Sequence, residues 1–201
     1  MFVQVIQGPV ADADGLAGLL DEWVEKLSPG ATGWLGSTAG VTEDGQGILL
    51  ARFESAQDAH ANSERPEQGD WWARAEACFA EAPAFRDTED VEVAFEGGSD
   101  TAGFVQVIQG STSQREELQE LEESMEPLLK SLHPALIGSI RCWSGNGDFT
   151  EAIYFTDEAT ARQGEKALGE HPDAQAGMEV FQEAMKDARY FDLKNPMLSS
   201  A

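Results

Sequence analysis

Two glutamines stand inside runs that are otherwise apolar and β-branched. Gln4 lies in Phe2-Val3-Gln4-Val5-Ile6 and Gln106 in Phe104-Val105-Gln106-Val107-Ile108. A buried primary amide must find partners, so each glutamine either orients a ligand or satisfies a backbone group. His60 falls in a helical pattern. Histidine is the side-chain type suited to proton transfer near neutral pH, which makes His60 the candidate catalytic base, against the alternative of an exposed histidine on a helix flank. Trp34, Trp71 and Trp72 gather in the first half of the chain with Asn62. Such aromatics either stack a planar polycyclic molecule or serve as core. The second half offers Arg141, Trp143 and Tyr154 instead. Arg141 suits an anionic substrate or a neighbouring carboxylate, and the acid excess of the chain favours the carboxylate. The candidate binding set is therefore Gln4, Trp34, Asn62, Trp72, Gln106, Arg141, Trp143 and Tyr154.

Other chemistry has no sequence support. The three histidines, 60, 133 and 171, show no metal-ligand spacing, so no metal is expected. Gly97-Gly98 lacks the lysine and helix of a phosphate loop, and no Gly-x-Ser-x-Gly elbow occurs. With 13 Lys+Arg against 37 Asp+Glu and a formal net charge of -24, nucleic acid and anionic membrane surfaces are excluded as expected partners. A small molecule remains. No apolar stretch approaches the roughly 20 residues of a membrane span, and the first residues lack the pattern of a signal peptide. Cys78 and Cys142 are too few for a disulfide scaffold and read as buried thiols of a cytoplasmic protein.

The elements that must hold these residues come in two copies. The segment Phe2-Val3-Gln4-Val5-Ile6-Gln7-Gly8 recurs letter for letter from Phe104 to Gly110, an offset of 102 positions. The same ungapped offset aligns Leu16 with Leu118, Gly36-Ser37 with Gly138-Ser139, Phe53 with Phe155 and Phe79 with Phe181. Gly97-Gly98-Ser99-Asp100 is the joint, which gives domains 1–98 and 103–201. In each copy a short strand precedes a helical stripe, Leu16 to Leu27 or Leu118 to Leu132, with Asp12 or Asp14 available as the first N-cap. Two strands, roughly 33–41 and 46–54 in the first copy, are joined through Asp44-Gly45, matched by Asn146-Gly147. A second helical region starts near Ser55 or Thr156-Asp157, breaks near Pro66 or Pro172 and resumes to about Glu81 or Lys186. Val91–Phe95 and Tyr190–Leu193 are the expected closing strands. The order βαββαβ predicts an α+β fold of two tandem ferredoxin-like units, their sheets packing face to face.

Gly33-Trp34-Leu35-Gly36-Ser37 after a Pro-Gly turn, and Leu136-Ile137-Gly138-Ser139 after His133-Pro134, resemble the dimeric α+β barrel superfamily. The stretch Ala51 to His60, an aromatic-ended strand followed by Ser55 and a helix carrying Ala59 and His60, is similar to its antibiotic-biosynthesis-monooxygenase branch. The resemblance implies an intrachain pseudo-dimeric barrel and leaves a higher oligomer open. It implies a pocket between the helices and the sheet of each copy, and cofactor-independent oxygenation of aromatic or polyketide-like compounds. A non-catalytic small-ligand binder or a structural protein is the alternative. His60 matches a position where the family often carries histidine. Asn62, Trp72 and His60 also echo the haem-degrading members, but Gln4 and Gln7 stand in the first strand where those have asparagine. The pocket residues differ between copies: Trp34 against Leu136, His60 against Arg162, Trp72 against Ala174.

Overall fold

The repeated segment forms an inner strand of a sheet in both halves, β1 (Phe2–Pro9) and β6 (Phe104–Ser111). Strand alternation turns Phe2, Gln4 and Ile6 to one face and Val3 and Val5 to the other. All but Gln4 are buried, which is why the run reads as almost continuously apolar. The computed structural model describes residues 1–174, 177, 181–183 and 185–201. They form two compact units, Met1–Val91 with Leu193–Ala201, and Glu92–Asp192.

In the first unit β1 leads to α1 (Ala13–Glu22), β2 (Trp34–Val41), β3 (Gln46–Phe53), α2 (Ala56–Ser63), α3 (Pro66–Glu76) and β4 (Ala84–Thr88). The second repeats this order with β6, α4 (Arg115–Leu132), β7 (Leu136–Ser144), β8 (Asp148–Phe155), α5 (Glu158–Glu170) and β9 (Arg189–Leu193). Each unit is thus a ferredoxin-like βαββαβ core, and each sheet carries a fifth strand. The strand orders are β10-β2-β3-β1-β4 and β5-β7-β8-β6-β9, where β5 is Val91–Phe95 and β10 is Met197–Ser200.

Two strand placements depart from the sequence expectation. Val91–Phe95 does not close the first sheet: β4 does, antiparallel to β1 with Gln4 opposite Asp87, while β5 lies beside β7 in the second sheet. The reason is compositional. Ala84-Phe85-Arg86-Asp87-Thr88 is a largely exposed edge strand without apolar alternation, whereas Val91-Glu92-Val93-Ala94-Phe95 alternates cleanly. The four residues of β10, antiparallel to β2, are the second difference. Tyr190–Leu193 does close the second sheet, within β9.

Local signals explain the remaining boundaries. The Asp12 carboxylate caps α1 by accepting from Gly15 N at 2.9 Å. Ser55 and Asp157 cap α2 and α5 by accepting from Asp58 N at 3.1 Å and Thr160 N at 2.8 Å. Gly45 (φ 83°), Asn146 (φ 67°) and Gly147 (φ 82°) adopt the left-handed backbone that tight hairpins demand. Pro66 opens α3, which ends at Glu76 rather than near Glu81. The helix expected between Pro172 and Lys186 lies in part outside the described residues. Cys78 and Cys142 are buried and unpaired with each other; burial pushes both thiols up, that of Cys142 to about 12 with help from Glu151. No described helix is long and apolar enough to cross a membrane.

Candidate functional site

In the first unit the helices do not close completely on the sheet. α1 is followed by a single π turn, Trp23–Leu27, in which Ser28 N bonds Trp23 O. Such an expanded turn inserts one extra residue into the helix end. Trp23 stands at its start and packs edge-on against Trp34 of β2, with ring centres 5.1 Å apart, and against Trp71 of α3 at 6.4 Å. The indoles are fixed by hydrogen bonds as well as packing. Trp23 Nε1 donates to Gln68 Oε1 at 2.6 Å, and Trp71 Nε1 donates to Leu19 O at 2.7 Å. Trp72 continues the row beside Trp71 at 6.1 Å and meets Phe85 of β4 edge-on at 5.2 Å.

Between this aromatic row and the sheet lies a cavity of about 480 Å³, well within the range of small-molecule sites. Its floor is the helix-facing side of β1 and β3: Phe2, Gln4 and Ile6, then Leu49, Ala51 and Phe53. Polar groups are few. Gln4 Nε2 donates to Asp87 Oδ1 at 3.0 Å, which sets an amide–carboxylate pair on the floor at the open β4 edge. Ser37, Ser63 and Gln68 also border the space.

Five of the residues singled out from sequence line this one cavity: Gln4, Trp34, His60, Asn62 and Trp72. Their settings differ. Trp34 is buried at 7% exposure. Asn62 is buried too, and its side-chain oxygen accepts from Arg65 Nη1 at 2.8 Å. The same nitrogen donates to Leu27 O at 3.1 Å, so Asn62 helps tie α2 to the end of the π turn. His60 sits on the rim. Its side chain is 72% exposed, with Nε2 3.4 Å from Glu64 Oε1 on the next helical turn. Trp23, Phe85, Gln68 and Asp87 also line the cavity without a sequence signal that marks them out. Trp23 falls in the apolar stripe that runs on from α1, and Phe85 and Asp87 lie on a strand with no alternation to announce it.

The other four candidates belong to the second unit, and it fills the equivalent positions differently. Leu20, Ala39 and Leu49 of the first unit correspond to Glu122, Arg141 and Glu151. Arg141, its side chain 5% exposed, donates through Nη1 to Glu122 at 2.9 Å and through Nη2 to Glu151 at 2.7 Å. Its Nη1 also lies 3.7 Å from Glu92. Burial opposes the charge of Arg141, but Glu151 and Glu122 outweigh it and raise its pKa. Burial also pushes the Glu122 carboxyl up, against the pull of Arg141. Arg141 therefore pairs with carboxylates, one of the two alternatives the sequence left open. Trp143 packs beside Phe149 at 5.4 Å with the Arg115 guanidinium over its ring at 4.5 Å. Tyr154 is fully buried and, by strand alternation, lies on the sheet face opposite Glu151 and Ile153.

Gln106 repeats the arrangement of Gln4, donating to Asp192 Oδ1 at 3.0 Å. Here Arg162, the counterpart of His60, reaches the other oxygen of Asp192 and lies over the ring of Phe104 at 5.1 Å. The counterpart of Asn62 is Gly164, and the His133 ring occupies the room that this glycine leaves.

Comparison with known proteins places the fold. No protein-family model matches the chain, and no curated protein matches it in sequence. Solved structures match over its whole length. One is a candidate monooxygenase of Lactobacillus acidophilus NCFM, with TM-score 0.72, 9% identity and 99% of each chain covered. Another is a candidate monooxygenase of Fusobacterium nucleatum, with TM-score 0.76, 10% identity, and 99% of this chain and 94% of that one covered. An anthrone oxidase-like protein aligns over 100% of this chain and 93% of its own, with TM-score 0.64 and 12% identity. At these identities the likeness is one of fold. The chain shares the fold of these three proteins along essentially its whole length.

Proposed function

We propose that the cavity of the first unit binds a planar aromatic or polyketide-like molecule and that the protein oxygenates it without a cofactor. The observation that carries this reading is the aromatic-walled cavity of about 480 Å³, whose polar lining is confined to a few groups. In such a reaction the substrate is its own reductant. A C–H proton flanked by aromatic or carbonyl groups is removed, and the carbanion passes its electrons to dioxygen. One oxygen atom stays on carbon; the other leaves as water with the two hydrogens of the original methylene. The protein must supply a base and an enclosure that excludes bulk water. His60 at the rim is the base in this reading, and Trp23, Trp34, Trp71 and Trp72 form the enclosure.

The exposure of His60 beside Glu64 favours a second reading, in which the cavity binds its ligand without turning it over. Oxygen uptake separates the two. With anthrone as substrate, the oxygenase reading expects one dioxygen consumed per quinone formed, with the rate lost in His60→Ala and Trp34→Ala. Ligand-induced thermal shifts without uptake across a panel of anthrones and polyphenols would leave the binding reading standing. Absence of both would refute the cavity as a ligand site.

A further inference from the structure

The second unit carries its own guide to what the first unit's cavity receives. In both units a glutamine of the first strand holds an aspartate of the closing strand at 3.0 Å, Gln4 to Asp87 and Gln106 to Asp192. In both, a buried phenylalanine, Phe2 or Phe104, stands two residues before that glutamine on the same face of the strand. The second unit covers this surface with a cation. The Arg162 guanidinium rests over Phe104 at 5.1 Å, grips Asp192 and is held from behind by Glu165 at 2.9 Å. The first unit has the surface without the cation. Position 60 is histidine turned out to Glu64, and position 63, matching Glu165, is Ser63 on the cavity wall. Among the described residues lining the cavity, none is lysine or arginine, while four tryptophans present rings to it.

We infer that the first unit's ligand carries an organic cation, a protonated amine or guanidine on an aromatic body, which docks on Asp87 over Phe2 as Arg162 docks on Asp192 over Phe104. This rests on reading the cavity as a ligand site and specifies the chemistry of that ligand. Two attractions act together there. A carboxylate held in place by an amide offers a charge-assisted hydrogen bond, and aromatic faces attract cations through their quadrupoles. The excess of acidic groups over the whole chain draws cations without discrimination, so the test must isolate Asp87.

The test compares two ligands of one shape: an aminoacridine, protonated at neutral pH, and acridine, neutral there. Binding is followed by tryptophan quenching and calorimetry at near-physiological salt. The expected result is a preference of about tenfold for the aminoacridine, falling to about twofold or less in Asp87→Asn while acridine binding is unchanged. His60→Arg, which installs the second unit's guanidinium, is expected to abolish the preference in the same way, and Asp192→Asn to leave it intact. Equal binding of the two dyes by the unaltered protein, or a preference that survives Asp87→Asn, would overturn the inference and leave the cavity reading in place. If neither dye binds, both fall.

Discussion

Ala51→Ile is a substitution for which a binding cavity and a packing defect predict opposite things. Ala51 lies on β3 in the cavity floor, directly across from Gln4 on β1. Its counterpart, Ile153, is packed against both apolar clusters flanking the same strand of the second unit. The change therefore gives the first unit a residue that the fold already accommodates at this site. Isoleucine adds three carbons, which at about 0.8 kcal/mol each is at most about 2.4 kcal/mol if all are buried. Phe85 and Asp87, which line the cavity from β4, are exposed, so about half of that is realised. Side-chain ordering takes back about 0.5–1 kcal/mol. The net expectation is a stabilisation of up to about 1 kcal/mol, a rise in melting temperature of roughly 2–4 °C at most for a chain of this length. Strand propensity works in the same direction, since isoleucine is favoured in strands and alanine is not. Ligand binding moves the other way: the branched side chain projects into the floor beside Gln4, and affinity for a planar tricycle should fall at least about tenfold, the loss of one well-made contact. Calorimetric melting of the free protein and titration with anthrone or acridine measure the two halves. Gained stability with unchanged affinity would show that the ligand binds elsewhere. A loss of stability would show that the floor at Ala51 is already filled, and the reasoning from the cavity would fail.

Other outcomes follow from the same contacts. Arg141→Met leaves Glu151 and Glu122 facing one another without their cation, which should cost about 3–5 kcal/mol near neutral pH in urea unfolding. Because burial already holds the folded-state Glu122 carboxyl above its unfolded value, the folded variant takes up protons more readily than the unfolded chain. Its stability therefore falls as pH rises through that folded value, so the deficit should shrink as the pH is lowered from neutrality; a deficit independent of pH would refute the pairing. Trp34→Ala, which removes a buried ring, should cost about 3–5 kcal/mol and abolish ligand quenching; quenching that persists would place the ligand away from β2. Both thiols should resist alkylation in the native protein and react fully in urea, since burial raises them, that of Cys142 to about 12; rapid native labelling of Cys142 would contradict its placement on β7.

The sequence carried the framework well because the framework is written in near-neighbour terms. The two hairpins were legible from Asp44-Gly45 and Asn146-Gly147, where positive φ restricts the residue choice. The helix starts were legible from Asp12, Ser55 and Asp157, whose side chains bond amides three residues on. The closing strand of the first unit, Ala84–Thr88, is illegible in the sequence because an edge strand with both faces largely exposed has no periodic signature. Val91–Phe95 has one and belongs to the other sheet. The missing signature hides Asp87, and with it the fact that the ungapped offset fails near the end: Asp87 matches Asp192, not the residue 102 positions on. Arg141 was legible only as a choice between carboxylate and substrate, because its partners lie on α4 and β8, 19 and 10 positions away.

By itself the sequence determined that this protein is two copies of one βαββαβ unit and that the copies diverge at Trp34, His60 and Trp72. Periodicity, turns and caps act over a few residues and survive in the linear order. The tertiary structure alone decided what that divergence means. Gln4 finds its aspartate 83 positions away, and the His60 side chain turns outward where Arg162 turns in. A cavity is space left between elements that meet only after folding. Its existence in the first unit, and the closing of the matching aspartate by arginine in the second, rest on side-chain directions and long-range contacts that no local pattern encodes.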